Sequence, residues 1–162
     1  MDSKKITFAI DSNLRDVSLI GLSINKICSL IPLTDVEAYQ IEACVVEAIN
    51  NTIEHAYQHA TGHRVEVDVN LYLDRIAFKV CDTGLSMAPT ISPALDFDPE
   101  ERDKLPESGM GLFIIHQVMD KVVYRTDNGK NILEMTKTFG DKPSMGGLQG
   151  TNQDIPACPH PK

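Results

Sequence analysis

The chain predicts an α+β two-layer sandwich, a mixed β-sheet covered on one face by about three helices. Three observations lead there. Two long stretches carry apolar residues at spacings of three and four, the mark of helices with one buried side. Val65, Val67, Val69, Leu71 and Leu73 alternate strictly with polar residues, as a strand with one wet face requires. Asp127-Asn128-Gly129 separates two further alternating runs, a strong short-range signal for a hairpin.

In order, Lys4 to Ile10 reads as a first strand, ended by the Asp11-Ser12-Asn13 cluster. Leu14, Val17, Ile20, Ile24 and Ile27 then mark a helix that runs to about Leu30 and is closed by Pro32. Thr34-Asp35-Val36-Glu37 is a capping box, so a long helix should run from there to about Tyr57. Gly62 opens the alternating strand, Asp74-Arg75 turns the chain, and Ile76 to Cys81 returns as its partner. Ser86 to Glu107 has no periodicity, four prolines and the acidic run Asp96 to Asp103. So long an irregular stretch inside a domain is usually functional, and a lid is the expectation. Leu112, Ile115, Val118 and Met119 mark a third helix, and Lys121 to Thr126 with Asn131 to Phe139 form the final hairpin. Residues 1–139 thus make one domain. Residues 140–162, rich in Gly and Pro, are expected to be a disordered tail or linker.

Charge narrows the function. A net charge of -8 and a pI near 5.0 disfavour nucleic acid, whose phosphates need a dense cationic surface. They favour protein partners or a metal-chelated nucleotide. The first residues carry no signal-peptide pattern and no run is long enough to span a bilayer, so the cytoplasm is the expectation, without membrane. Cys28, Cys44, Cys81 and Cys158 form no C-x-x-C pair and no metal-ligand spacing with the histidines. The first three fall on apolar patterns and read as small buried hydrophobes.

Three places carry chemistry. Glu47, Asn51 and His55 lie four residues apart and form one stripe, beside a core stripe of Ile41, Val45, Ala48, Thr52 and Ala56. An amide oxygen at Asn51 can ligate Mg²⁺, a hard cation that takes other ligands from phosphates and water. Glu47 can then deprotonate a nucleophile near a terminal phosphate. Taken alone, the stripe reads more readily as a solvated polar face with a Glu–Asn contact. In Val80-Cys81-Asp82-Thr83-Gly84, an apolar strand ends in a carboxylate that can accept a hydrogen bond from an exocyclic amine, while Gly84 lets backbone approach a flat base. Alone, this is also a common Asp-x-Gly turn. Ser108-Gly109-Met110-Gly111-Leu112 stands ahead of a helix, where two glycines permit a curve that aims N–H groups at an anion. No Gly-Lys-Ser/Thr follows, which excludes the ordinary P-loop.

Order and spacing add what no motif gives alone. Val46-Glu47-Ala48-Ile49-Asn50-Asn51-Thr52-Ile53-Glu54-His55-Ala56-Tyr57 looks like the N box of the GHKL ATPases, Asp82-Thr83-Gly84-Leu85-Ser86 like their first glycine box, and Ser108-Gly109-Met110-Gly111-Leu112 with Met119-Asp120 like the second. Across about Ile6 to Phe139 the chain resembles one branch of that family, the bacterial anti-sigma factor serine kinases. The resemblance implies the Bergerat ATP-binding fold, with ATP and Mg²⁺ bound. It implies Mg²⁺ on Asn51, Glu47 as base toward a serine hydroxyl, Asp82 and Gly84 at the adenine, and Ser108, Gly109, Met110, Gly111 and Leu112 around the phosphates. It also implies a STAS-domain anti-anti-sigma protein as substrate, a sigma factor as second partner, and a homodimer. Arg15 lies where such proteins meet partners, though a solvated arginine is the safer reading.

The chain departs from the pattern at three positions. Ser86 stands where the first glycine box usually ends in glycine, Asn131 where relatives often place a base-contacting threonine, and Glu107 where some carry an arginine reaching the terminal phosphate. Asn131 is therefore counted with the nucleotide-binding residues. Two alternatives stay open: a nucleotide-dependent switch that transfers little phosphate, and a detached histidine-kinase ATP-binding domain. The second is less favoured because no phospho-accepting dimerisation helix precedes the first strand.

Overall fold

The computed structural model describes residues 3–87 and 110–139. The expected lid beyond Met87, Glu107, Ser108, Gly109, Cys158 and the Gly/Pro-rich tail lie outside the described residues. Strand β1 spans Lys4–Asp11. A 3₁₀ turn at Leu14–Asp16 then feeds α1, Val17–Cys28. Helix α2, Asp35–Asn51, starts on the anticipated capping box: the Thr34 hydroxyl accepts the Glu37 N–H at 3.2 Å, and the Glu37 carboxylate accepts the Thr34 N–H at 2.7 Å. The helix does not run regularly to Tyr57. From Thr52 to Ala56 it widens into a π-turn, closed by the Tyr57 N–H donating to the Thr52 carbonyl at 3.0 Å. Such insertions are frequent at functional sites.

Strands β2 (Arg64–Leu71) and β3 (Arg75–Asp82) follow, then α3 (Met110–Val118), β4 (Lys121–Asp127) and β5 (Lys130–Thr138). The hairpin between the last two strands is a two-residue turn with φ 49° at Asn128 and 76° at Gly129, the left-handed pair that matches strand twist. The sheet order is β1-β2-β3-β5-β4. Every pairing is antiparallel, where a mixed sheet was expected. The reason is topological: β4 runs parallel to β3, but β5 folds back through the tight hairpin and occupies the place between them. Strand direction leaves no mark on local periodicity.

All three helices lie on one face. The core interleaves Ile20 and Ile24 of α1, Ile41 and Ile49 of α2, Ile53 of the π-turn and Ile115 of α3 with Val67, Phe78 and Met135 from the strands. Cys28 and Cys44 belong to it, and burial pushes their thiols up to about 12 and about 11; Cys81, also buried, is raised for the same reason. They are inert packing groups, as read. The opposite sheet face carries an ion-pair lattice: Lys5–Asp68 at 2.9 Å, Lys79–Glu134 at 3.7 Å and Lys130–Glu66 at 3.7 Å. Among the described residues no helix is long and apolar enough to cross a membrane.

Candidate functional site

A cleft opens between α2 and the end of the sheet where β3 stops. Ala48, Asn51, Thr52 and Ala56 form one wall, Val80 and Asp82 the floor, Leu85 and Met87 the rim, and Leu112, Tyr124 and Leu133 the far side. About 360 Å³ of space lies between these walls, open solvent included. Three residues singled out from sequence, Asn51, Asp82 and Leu112, meet here from three different elements.

The floor is held by hydrogen bonds. Asp82 is buried, and its Oδ1 accepts the Gly84 N–H at 2.9 Å and the Asn131 Nδ2–H at 2.8 Å. The loop after β3 is also tied to the π-turn. Leu85 N–H donates to the Ala56 carbonyl at 2.9 Å, and Thr83 N–H donates to the Tyr57 hydroxyl at 3.0 Å. Tyr57 in turn donates to the Arg64 carbonyl at 2.8 Å and stacks on His63, with ring centroids 4.6 Å apart. Gly84 is required here by backbone rather than by a base: a Cβ would collide with the Ala56 carbonyl. The widened turn at 52–56 is what brings that carbonyl against the loop.

The other end is built differently. Glu47 and Asn51 are half-buried on α2, and their side chains have no hydrogen-bond or ion-pair partner among the described residues. Gly111, in the first turn of α3, lies directly on Glu47; a Cβ at 111 would overlap its carboxylate. The N-terminus of α3 is thus brought to the candidate base. Met110 sits at that helix start, 37% exposed. His55 does not share the site. It is exposed and lines no wall, because the π-turn breaks the four-residue stripe after Asn51.

Asn131 sits directly opposite Asp82 in the sheet register and is buried. It holds the floor rather than lining the cleft. Sequence reading missed Tyr57 and Tyr124 as supports. The Tyr124 hydroxyl accepts the Met87 N–H at 2.9 Å, a bond across 37 positions that no local pattern announces.

Comparison with known proteins matches the family model described as a histidine kinase-like ATPase domain over residues 10–137. The chain belongs to that family. Its relatives include the serine-protein kinase RsbW of Halalkalibacterium halodurans, 31% identical over 137 residues and 82% of each chain. RsbW of Listeria innocua is 28% identical over 142 residues, covering 85% of this chain and 89% of the relative. RsbW of Bacillus cereus (strain Q1) is 28% identical over 139 residues, 83% and 84% of the two chains. The crystal structure of the RsbU and RsbW domains of Rv1364c from Mycobacterium tuberculosis superposes with a TM-score of 0.58 at 14% identity. It covers 82% of this chain and 32% of that one, and shows the same fold. In this ATPase family the open sheet with helices on one face, found above, is the shared architecture.

Proposed function

We propose that this chain is an ATP-dependent serine-protein kinase of the anti-sigma type, with its nucleotide in the cleft between α2 and β3. The observation that carries the reading is the contact of Gly111 with Glu47. It brings a glycine-flanked helix start, suited to phosphate, to the Glu47 carboxylate, which has no hydrogen-bond or ion-pair partner among the described residues. Relatives that match along most of their length are serine-protein kinases.

Each residue then has a task. The Asp82 carboxylate accepts from the exocyclic amine of adenine. The backbone N–H groups of Met110, Gly111 and Leu112 face the phosphates in this reading; Ser108 and Gly109, to which the resemblance gives the same task, lie outside the described residues. The Asn51 amide oxygen and the phosphates suit Mg²⁺, since no group of three His, Cys, Asp or Glu among the described residues could cage a metal alone. Mg²⁺, when bound, neutralises phosphate charge. Glu47 takes the proton from a serine hydroxyl; the freed oxygen attacks the γ-phosphorus and ADP leaves. The protein substrate in this reading is a STAS-type antagonist, and the other partners are a sigma factor and a second copy of this chain. Arg15 in the 3₁₀ turn and Leu19, Leu22 and Lys26 of α1 are exposed at spacings of four, three and four, a surface suited to docking.

The test is phosphotransfer from γ-labelled ATP to a STAS-domain antagonist, with Glu47→Gln beside it. Loss of a general base costs about 10²–10⁴-fold in rate, while nucleotide affinity should hold within about twofold. Equal transfer by the variant would overturn the role of Glu47. Nucleotide binding without transfer by the unaltered protein would leave a switch in place of a kinase.

A further inference from the structure

Asp82, Asn131 and Thr126 form one row across three strands, since Asn131 pairs with Asp82 on one side and with Thr126 on the other. Asn131 is 1% exposed, and its amide is used up. Its Nδ2 donates to Asp82 Oδ1 at 2.8 Å, to the Gly84 carbonyl at 3.1 Å and to the Leu85 carbonyl at 3.4 Å. Its Oδ1 accepts from the Ser86 hydroxyl at 2.9 Å and the Thr126 hydroxyl at 3.1 Å. The orientation of the amide follows from its neighbours. Two carbonyls and a carboxylate can only accept, and the two hydroxyls have protons to give.

We infer that Asn131, Ser86 and Thr126 act as one clasp that positions Asp82 for the nucleotide base, and that Asn131 does not touch the base itself. This rests on the nucleotide-binding reading above. An amide has two N–H donors and one acceptor oxygen, and here both ends are engaged by protein. Nothing is left to read a ligand. The consequence falls on Asp82: its Oδ1 already accepts two N–H groups, so only Oδ2 remains to accept an exocyclic amine. The clasp also anchors the first residues after β3, because Asn131 holds the carbonyls of Gly84 and Leu85 while its oxygen takes Ser86. Ser86 and Asn131, two of the three departures noted separately in the sequence, are thus a single bonded pair.

The test separates positioning from direct contact. Affinity is measured for ADP and for IDP, which carries a carbonyl in place of the exocyclic amine, on the full chain. Three proteins are compared: unaltered, Asn131→Ala, and Ser86→Ala/Thr126→Val. Ser86 and Thr126 are exposed, so the double variant folds even if Asn131→Ala does not. Removing Asn131 should weaken ADP about tenfold and IDP much less. The double variant should erode the ADP preference about threefold, since its hydroxyls reach the base only through Asn131. An Asn131→Ala loss with the preference intact in the double variant would mean that Asn131 reads the base, overturning the inference. A preference unchanged in both variants would also overturn it. If the unaltered protein bound neither nucleotide, the kinase reading would fall first and take the clasp with it.

Discussion

The two ends of the cleft are held by opposite means. At the base end, Asp82, Asn131 and the loop at 83–87 are joined by hydrogen bonds to three strands and to the π-turn. At the proposed phosphate end, Asn51 lines the cleft and Glu47 lies one turn earlier against Gly111, both without a side-chain hydrogen-bond or ion-pair partner among the described residues. A flat base needs one carboxylate in one orientation, so rigidity there is built in advance. In the proposed reading, phosphate and a hydroxyl nucleophile need groups that are free to be recruited, and Glu47 and Asn51, half-buried and without a side-chain partner among the described residues, supply them. The molecule therefore spends its internal hydrogen bonds where recognition is fixed and withholds them where charge moves.

Two glycines express this difference and offer the sharpest way to break it. Gly111 presses on the end of a flexible side chain, so Gly111→Ala should leave the fold nearly as stable while Glu47 swings away. Phosphotransfer should then drop by about a hundredfold, close to the loss from removing a base. Thermal melting and rate measured on the same sample check it. A variant that melts far lower but retains its rate would place the constraint in packing instead.

Gly84 presses on backbone, which cannot turn aside. Gly84→Ala should cost about 1–3 kcal/mol of stability, an overpacking penalty, or roughly 3–10 °C in melting temperature for a chain of this size. The loop at 83–87 should gain hydrogen exchange as the Leu85 to Ala56 bond opens. A melting temperature unchanged within a degree would show that the π-turn yields, and the base end would be less rigid than described.

How much of this was legible beforehand follows the reach of each interaction. The Thr34 capping box, the Asn128-Gly129 turn and the alternation of β2 are local, and each was readable to within a residue or two. Glu47, Asn51, Asp82 and Gly111 were readable as motifs because their spacing along the chain is fixed. Their meeting was not, since it depends on α3 crossing to α2. The π-turn was invisible: nothing in Thr52-Ile53-Glu54-His55-Ala56 departs from an ordinary helical pattern, and tertiary packing against the loop after β3 selects the wider turn. Asn131 was readable only as a departure. Its partners lie 5, 45 and 49 positions away, so its purpose is written in the strand register alone.

The smallest effect expected concerns carboxylates outside the cleft. Burial tends to raise Asp68, but hydrogen bonds from Lys5 and Thr7 outweigh it and hold the group below the ordinary aspartate value. Asp120 is likewise raised by burial and then lowered further by the Thr138 hydroxyl and backbone N–H and by Lys137. A carboxylate depressed in the folded state stabilises above its unfolded value and loses that contribution as pH falls through the folded value. Stability from these two should thus be complete at neutral pH and disappear below about pH 4. Asp68→Asn/Asp120→Asn should lower the neutral melting temperature by about 2 °C and flatten its decline as pH falls below about 4. Nucleotide affinity at neutral pH should not change, because neither residue touches the network that holds Asp82. A loss of affinity in that variant would mean that the outer sheet face is coupled to the base end, and that rigidity there is borrowed from the whole sheet rather than supplied by the row through Asn131.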